Sequence, residues 1–287
     1  MAIVLGPNRY GKAETRLVRV VRDGDRHALT DLTVSIALAG DLAATHLTGD
    51  NTGVLPTDTM KNTVYAFAKE HGVAEPEVFA LLLGRHFVAT QPQIARATVR
   101  IESFGWDRLG PHSFQRQGDH VRTAAVTVDA GGAQVVSGIS GLVVMNTTDS
   151  EFRGFPRDRY TTLAETGDRI LATAVDAQWR HMPSAAPGWL ASFDRAKTAL
   201  LDGFVTTYSR SLQQTLTAMG RRVLETDPDI AEIRLVLPNK HHYLVDLAPF
   251  GLTNDNEVFI AGDRPYGLIE GTVARDDAPP ARAQWYL

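Results

Sequence analysis

VRTAAVTVDAGGAQVVSGISGLVVMNT, residues 121–147, sets the organisation of the chain. Val121 to Asp129 carries a strand pattern that Gly131-Gly132 closes, and a second strand pattern runs from near Val135 to Thr147. Toward the N-terminus, Ala95 to Glu102 reads as another strand. Before it come two helices. Met60, Val64, Phe67 and Ala68 recur at helical spacing with Gly72 placed to stop the run, and Pro76 opens a helix carrying Val78, Leu81, Leu82 and Phe87. Earlier still, Leu32, Val34, Ile36 and Leu38 alternate with Thr33, Ser35 and Ala37, a period of two. The Glu14 to Arg22 run is strand-like, and Asp23-Gly24 between the two runs is a hairpin signal.

Toward the C-terminus the same order returns. Arg169 to Arg180 reads as a strand, Pro187-Gly188 precedes a stripe of Trp189, Phe193, Ala196, Leu200 and Phe204, and a cap at Ser209 or Ser211 precedes Leu212, Leu216, Met219 and Val223. Strands follow at Ile233 to Leu237 and His241 to Leu247. An order that recurs after about 140 residues predicts a duplicated two-layer α+β unit, an antiparallel sheet with a helix pair on one face. Gly131-Gly132 is the seam, giving units 1–131 and 132–287, the second ending in an extended arm around DDAPPARA. A length of 287 residues, against roughly 150 per domain, fits two units.

Composition narrows the function. Hydrophobic residues at 44% and charged residues at 22% exclude wholesale disorder. A formal charge of −4, with neither sign in runs, makes nucleic acid an unexpected partner and a small substrate the expected one. The absence of cysteine excludes thiol nucleophiles, disulfides, iron–sulfur clusters and cysteine-bound zinc. No apolar run approaches about 18 residues, MAIVLGPNRYGK lacks the features of a secretory signal, and ARAQWYL lacks a peroxisomal tripeptide. The expected location is therefore cytoplasmic, with no membrane partner.

Cofactor signatures are missing from the sequence: no GxGxxG and no GxxxxGK[ST]. The glycines around Ser140 in SGISG have the wrong spacing for a nucleophile elbow. His241 and His242 are adjacent and would face opposite ways in a strand, poor geometry for one metal, so no metal site is expected.

Five polar segments remain. NRYGK ends at Lys12, which alone would be a solvated charge. In PTDTMKN, residues 56–62, Thr57 or Asp58 suits a helix cap. SEFRGFPRDRYTTLAETGDR, residues 150–169, is too long for an idle connection. Gln213 in SLQQTL would be surface, and Pro238-Asn239 in LPNKHHYLVDL, residues 237–247, suits a hairpin turn.

Together and in this order, these segments resemble urate oxidase, the cofactor-free uricase family, over nearly the whole chain. Asn146 departs from the lysine common there. The resemblance implies a tunnelling fold, two antiparallel-sheet units per chain, assembled as a homotetramer around a channel with active sites at subunit interfaces. It implies an oxidoreductase of purine catabolism that converts urate, O2 and water to 5-hydroxyisourate and hydrogen peroxide without metal or organic cofactor. By the same resemblance Arg169 and Gln213 meet urate edge-on, Phe152 stacks on it, and Leu163 and Leu212 line the pocket. Lys12, Thr57 and His241 form a proton relay, Asn239 and Thr57 hold dioxygen and later water, and Asp58 orients the ligand through its backbone. Two alternatives remain: a catalytically silent purine-binding protein, and a zinc-dependent pterin or purine enzyme of the same fold, which would need histidines more clustered than the nine present.

Overall fold

The computed structural model describes residues 1–185, 188–262 and 264–282. The first half contains β1 (Tyr10–Asp23), β2 (Arg26–Gly40), α1 (Ala43–Leu47), α2 (Thr57–Glu70), α3 (Pro76–Thr90), β3 (Ile94–Ser103), β4 (Trp106–Arg108), β5 (Phe114–Arg116) and β6 (Val121–Asp129). The second contains β7 (Gly132–Asn146), β8 (Leu171–His181), α4 (Trp189–Thr206), α5 (Leu212–Thr226), β9 (Ile230–Lys240), β10 (His242–Leu244), a 3-10 turn at Ala248–Phe250, β11 (Phe259–Ala261) and β12 (Gly267–Ala274).

Eight strands form one antiparallel sheet in the order β1-β2-β3-β6-β7-β8-β9-β12. The β1–β2 hairpin turns at Gly24, whose φ of 56° is a conformation that glycine takes without a Cβ penalty. β6 and β7 pair across the Gly131-Gly132 turn, so the sheet runs unbroken through the middle of the sequence.

Period-two alternation sends one row of side chains from each strand toward the helices. Leu32, Val34, Ile36 and Leu38 pack with Met60, Val64, Phe79, Leu83 and Phe87 in one apolar cluster. Leu171, Val175, Trp179, Ile233 and Leu235 pack with Phe193, Leu200, Leu216 and Met219 in another. Between the two clusters, fully buried Glu77 accepts from Arg122 Nη2 at 2.7 Å and from Ser137 Oγ at 2.7 Å. Ser137 Oγ also lies 3.0 Å from His181 Nε2.

Three expectations need correction. The buried face of α3 is Phe79, Ala80, Leu83 and Phe87, with Val78 exposed and Leu81 and Leu82 at the margin, because the run is apolar all round and the side that packs on the sheet is the one where Arg122 can also pair with Glu77. The strand completing the second half is β12, on the sheet edge beside β9, whereas His241 to Leu247 supplies only the short β10 and then a turn. Pro238-Asn239 is no hairpin turn: both residues lie within β9, opposite Leu268 and Gly267 of β12. The ladder to β8 skips Leu237 and Pro238, which accommodates a residue without an N–H.

Pro187 and residues 283–287 of the expected arm lie outside the described residues. The described part of the arm folds back, with Arg180 Nη2 donating to Pro279 O at 2.7 Å and Arg282 N to Gln134 Oε1 at 2.8 Å. Among the described residues no helix is long and apolar enough to cross a membrane.

Candidate active site

A cleft of about 730 Å³ opens at the end of the sheet where β8 begins and β9 ends, lined in part by Phe152, Leu163, Arg169, Asn239 and His241. Asn239 shares the strand parity of the buried Leu237 and so continues the helix-side face of β9 just past the core, while Arg169 lies two residues before Leu171, where β8 begins.

The long segment between β7 and β8 is pinned at several points. Phe152 and Thr166 exchange backbone hydrogen bonds of 3.0 and 3.2 Å. Nearer the neck, Thr148 Oγ1 donates to the Asp168 carboxylate at 3.1 and 3.0 Å, and Thr166 Oγ1 donates to Asp168 O at 2.6 Å. These bonds bring Phe152 and Arg169 together although they are far apart in sequence. The Arg169 guanidinium carbon stands 5.3 Å from the Phe152 ring centroid, and its Nε is buried without a hydrogen-bond partner.

That cation dominates the electrostatics. Burial lowers the Arg169 pKa from its ordinary value. His241 is pushed down as well, first by burial, then by the Arg169 charge and by His242. His241 is therefore a neutral imidazole at pH 7, able to accept a proton. Its carbonyl accepts from Gly262 N at 2.8 Å, fixing the junction between β9 and β10.

Leu212 and Gln213 occupy the first turn of α5. Because α5 runs back along β9, that turn lies over the end of the sheet that carries Arg169 and Asn239. Ser211 caps the helix, accepting from Gln214 N at 3.2 Å. Leu212 is buried in the second core and Gln213 is exposed; neither is among the cleft-lining residues.

Lys12, Thr57 and Asp58 are elsewhere. A Cβ on Gly11 would lie 1.8 Å from Ile36 O, so only glycine allows β1 this close to β2. Directly after it, β1 bulges between Lys12 and Thr15, with Glu14 at φ 54° and its N–H donated to Ser35 Oγ at 2.9 Å. Lys12 borders a second hollow with Arg9, Tyr10 and Arg100. Thr57 opens α2, but the cap is Pro56, with no side-chain cap bond, so neither Thr57 nor Asp58 caps the helix as expected. The Asp58 carboxylate instead accepts from Lys61 Nζ and, at 3.0 Å, from Asn62 Nδ2. Lys61 is the main cause of its lowered pKa, and the charge of Lys12 adds to the effect. No backbone bond is made by the N–H groups of Thr57 and Asp58, the usual state of a first helical turn.

β1 and β9 are six interstrand steps apart in the sheet, about 29 Å along it at the usual spacing. One chain thus presents two separated sets: Lys12, Thr57 and Asp58 at one edge; Phe152, Leu163, Arg169, Asn239 and His241 toward the other. The β10–β11 hairpin walls the second set with Tyr243, Asn256, Glu257 and Phe259, none of which the sequence reading marked. The available signal was Asn254, whose side chain bonds Val245 O, Glu257 N and Val258 N at 2.9–3.1 Å to close that hairpin.

The uricase family model matches residues 8–127 and 135–270. The chain belongs to the uricase family. It is 49% identical over 285 residues to the uricase of Arthrobacter globiformis, covering 99% of this chain and 94% of that one. The uricase of Dictyostelium discoideum is 38% identical over 278 residues, covering 93% and 96%. The crystal structure of the Arthrobacter globiformis uricase superposes with a TM-score of 0.94, covering 98% of both chains. That agreement bears out the fold class, α+β with the tunnelling-fold architecture. Among the described residues no three His, Cys, Asp or Glu side chains converge as metal ligands would.

Proposed function

We propose that this chain is a urate oxidase of purine catabolism, converting urate, O2 and water to 5-hydroxyisourate and hydrogen peroxide with no metal or organic cofactor. The observation that carries the reading is Arg169: a guanidinium beside an aromatic face, its Nε buried and unpartnered, in a cleft of a uricase-family chain. A planar purine anion matches that arrangement. The guanidinium fork and the Gln213 carboxamide supply coplanar donors and an acceptor, Phe152 offers a face, and Leu163 adds apolar wall.

In this reading urate deprotonated to its dianion gives two electrons to dioxygen, which leaves as hydrogen peroxide, and water adds at C5. The protein positions the reactants and moves protons. The neutral His241 imidazole accepts from Thr57, and Lys12 completes the relay. Asn239 and Thr57 hold dioxygen and then water above the ring, and the free amides at Thr57 and Asp58 meet the ligand edge. Leu212, buried under the Gln213 turn, supports that wall from behind.

The relay needs both sets of residues, which one chain keeps apart. A second copy supplies the missing set, and the outer edges of β1 and β12 are unpaired among the described residues, available for such an assembly. We therefore place the active site between subunits of a homotetramer. The direct test is urate consumption, oxygen uptake and peroxide formation by chelator-treated, flavin-free protein. Undiminished, stoichiometric turnover is expected; activity lost to the chelator and restored by a metal ion would overturn the cofactor-free reading.

A further inference from the structure

The loop that presents Phe152 and the helix that presents Gln213 are joined by a buried polar junction. Ser150, Ser209 and Thr215 are each 0% exposed. Ser150 and Ser209 form a parallel bridge in which Glu151 N donates to Ser209 O at 2.8 Å and Ser209 N donates to Asp149 O at 2.9 Å. Asp149 takes a φ of 59° there. From α5, Thr215 Oγ1 donates to Ser209 Oγ at 2.8 Å, with Ser211 O a more distant acceptor at 3.3 Å, and Ser209 Oγ donates to Ser211 O at 3.2 Å. The hydroxyl of Ser150 has no partner, so the loop is held to this segment by the Ser209 backbone and, beside it, by Tyr208 OH donating to Glu151 Oε2 at 3.1 Å.

Phe152 lies two residues beyond the bridge on one strand, and Gln213 four residues beyond it on the other. Both strands leave in the same direction, so a single junction sets the separation of the ring from the carboxamide. The backbone bridge fixes Ser209 to the loop and the buried Thr215–Ser209 hydroxyl bond ties α5 to Ser209, so rotation or sliding of α5 against the loop must strain one of the two. We propose that Ser209 and Thr215 are positioning residues that fix Phe152 and Gln213 relative to each other, so that face and edge contacts to the substrate form together. This rests on the reading of Phe152 and Gln213 as urate contacts.

The test compares Thr215→Val, which removes the hydroxyl at constant shape, with Thr215→Ser, which keeps it, and with Ser209→Ala, all in the assembled enzyme. Thr215→Val and Ser209→Ala should raise the urate KM, and the Kd for a non-reacting urate analogue, about three- to tenfold. kcat should stay within about twofold, and Thr215→Ser should match the parent. In a Gln213→Ala background, Thr215→Val should add less than about twofold, since no placed amide remains to be displaced. An unchanged KM in folded Thr215→Val or Ser209→Ala protein, or a Thr215→Ser enzyme as impaired as Thr215→Val, would overturn the positioning role. If Gln213→Ala and Phe152→Ala themselves leave the KM unchanged, the site reading fails instead.

Discussion

The Arg169 guanidinium carbon stands 5.3 Å from the centroid of the Phe152 ring, and Arg169 Nε is buried with no hydrogen-bond partner. A desolvated cation beside an aromatic ring gains from the ring's quadrupole, but its N–H groups still require an acceptor. A planar anion lying along the guanidinium edge satisfies them.

Replacing Arg169 by Lys keeps the charge and removes the planar fork. Loss of about 1.5–3 kcal/mol of charge-assisted hydrogen bonding weakens urate binding roughly 10- to 150-fold. Titration of Arg169→Lys with a non-reacting urate analogue checks this, and unchanged affinity would remove Arg169 from the site.

His181 gives the fold a pH dependence separate from catalysis. Burial pushes its pKa from 6.5 down to about 4, with Asp227 opposing. The unfolded chain therefore takes up a proton near pH 6.5 that the folded chain refuses until about pH 4. Stability falls as pH drops through that window, by up to about 3 kcal/mol, and the group contributes no slope above it. Urea midpoints at fixed subunit concentration should show the difference between wild type and His181→Gln changing between pH 7 and pH 4; parallel curves would refute it.

Such a buried histidine was not legible in the sequence, whereas the strands around it were. Leu32, Val34, Ile36 and Leu38 alternate because one face of β2 is wet and the other covered, and that contrast is written in residue type. β12 escaped because an edge strand such as GLIEGTVA is exposed or half-exposed throughout, leaving no contrast to read. The face of α3 is not readable because VFALLL is apolar all round, and the choice of Phe79 and Leu83 comes from tertiary packing on the sheet, with Glu77 paired to Arg122 on the same side. At the site, the segments carrying Phe152, Arg169, Asn239 and His241 stood out as motifs. Their convergence depends on Phe152–Thr166 and Thr148–Asp168 bonds that no periodicity reports.

Lys12 and Thr57 should separate binding from chemistry. Relay groups act mainly in the transition state, so Lys12→Ala or Thr57→Ala should lower kcat far more than it weakens binding of a non-reacting urate analogue. Equal losses in the two measurements would mean that these residues only hold the ligand.

The separation of the two residue sets within one chain gives the sharpest test of a shared site. Lys12 and Thr57 lie at the β1 edge, while Arg169 and His241 lie five and six strand steps away, at the β8–β9 end. Thr57→Ala and Arg169→Ala chains should each be nearly inactive alone, since every site would lack one contribution. Co-expressed in equal amounts with random mixing, a site takes intact Thr57 from one chain with a chance of about one half, and intact Arg169 from the other with the same chance. Activity near one quarter of wild type per site follows. The recovery should appear only in mixed oligomers, and mixing the two assembled proteins should give almost none unless subunits exchange. Purified hetero-oligomers without recovery would mean that Thr57 and Arg169 do not complement each other across an interface.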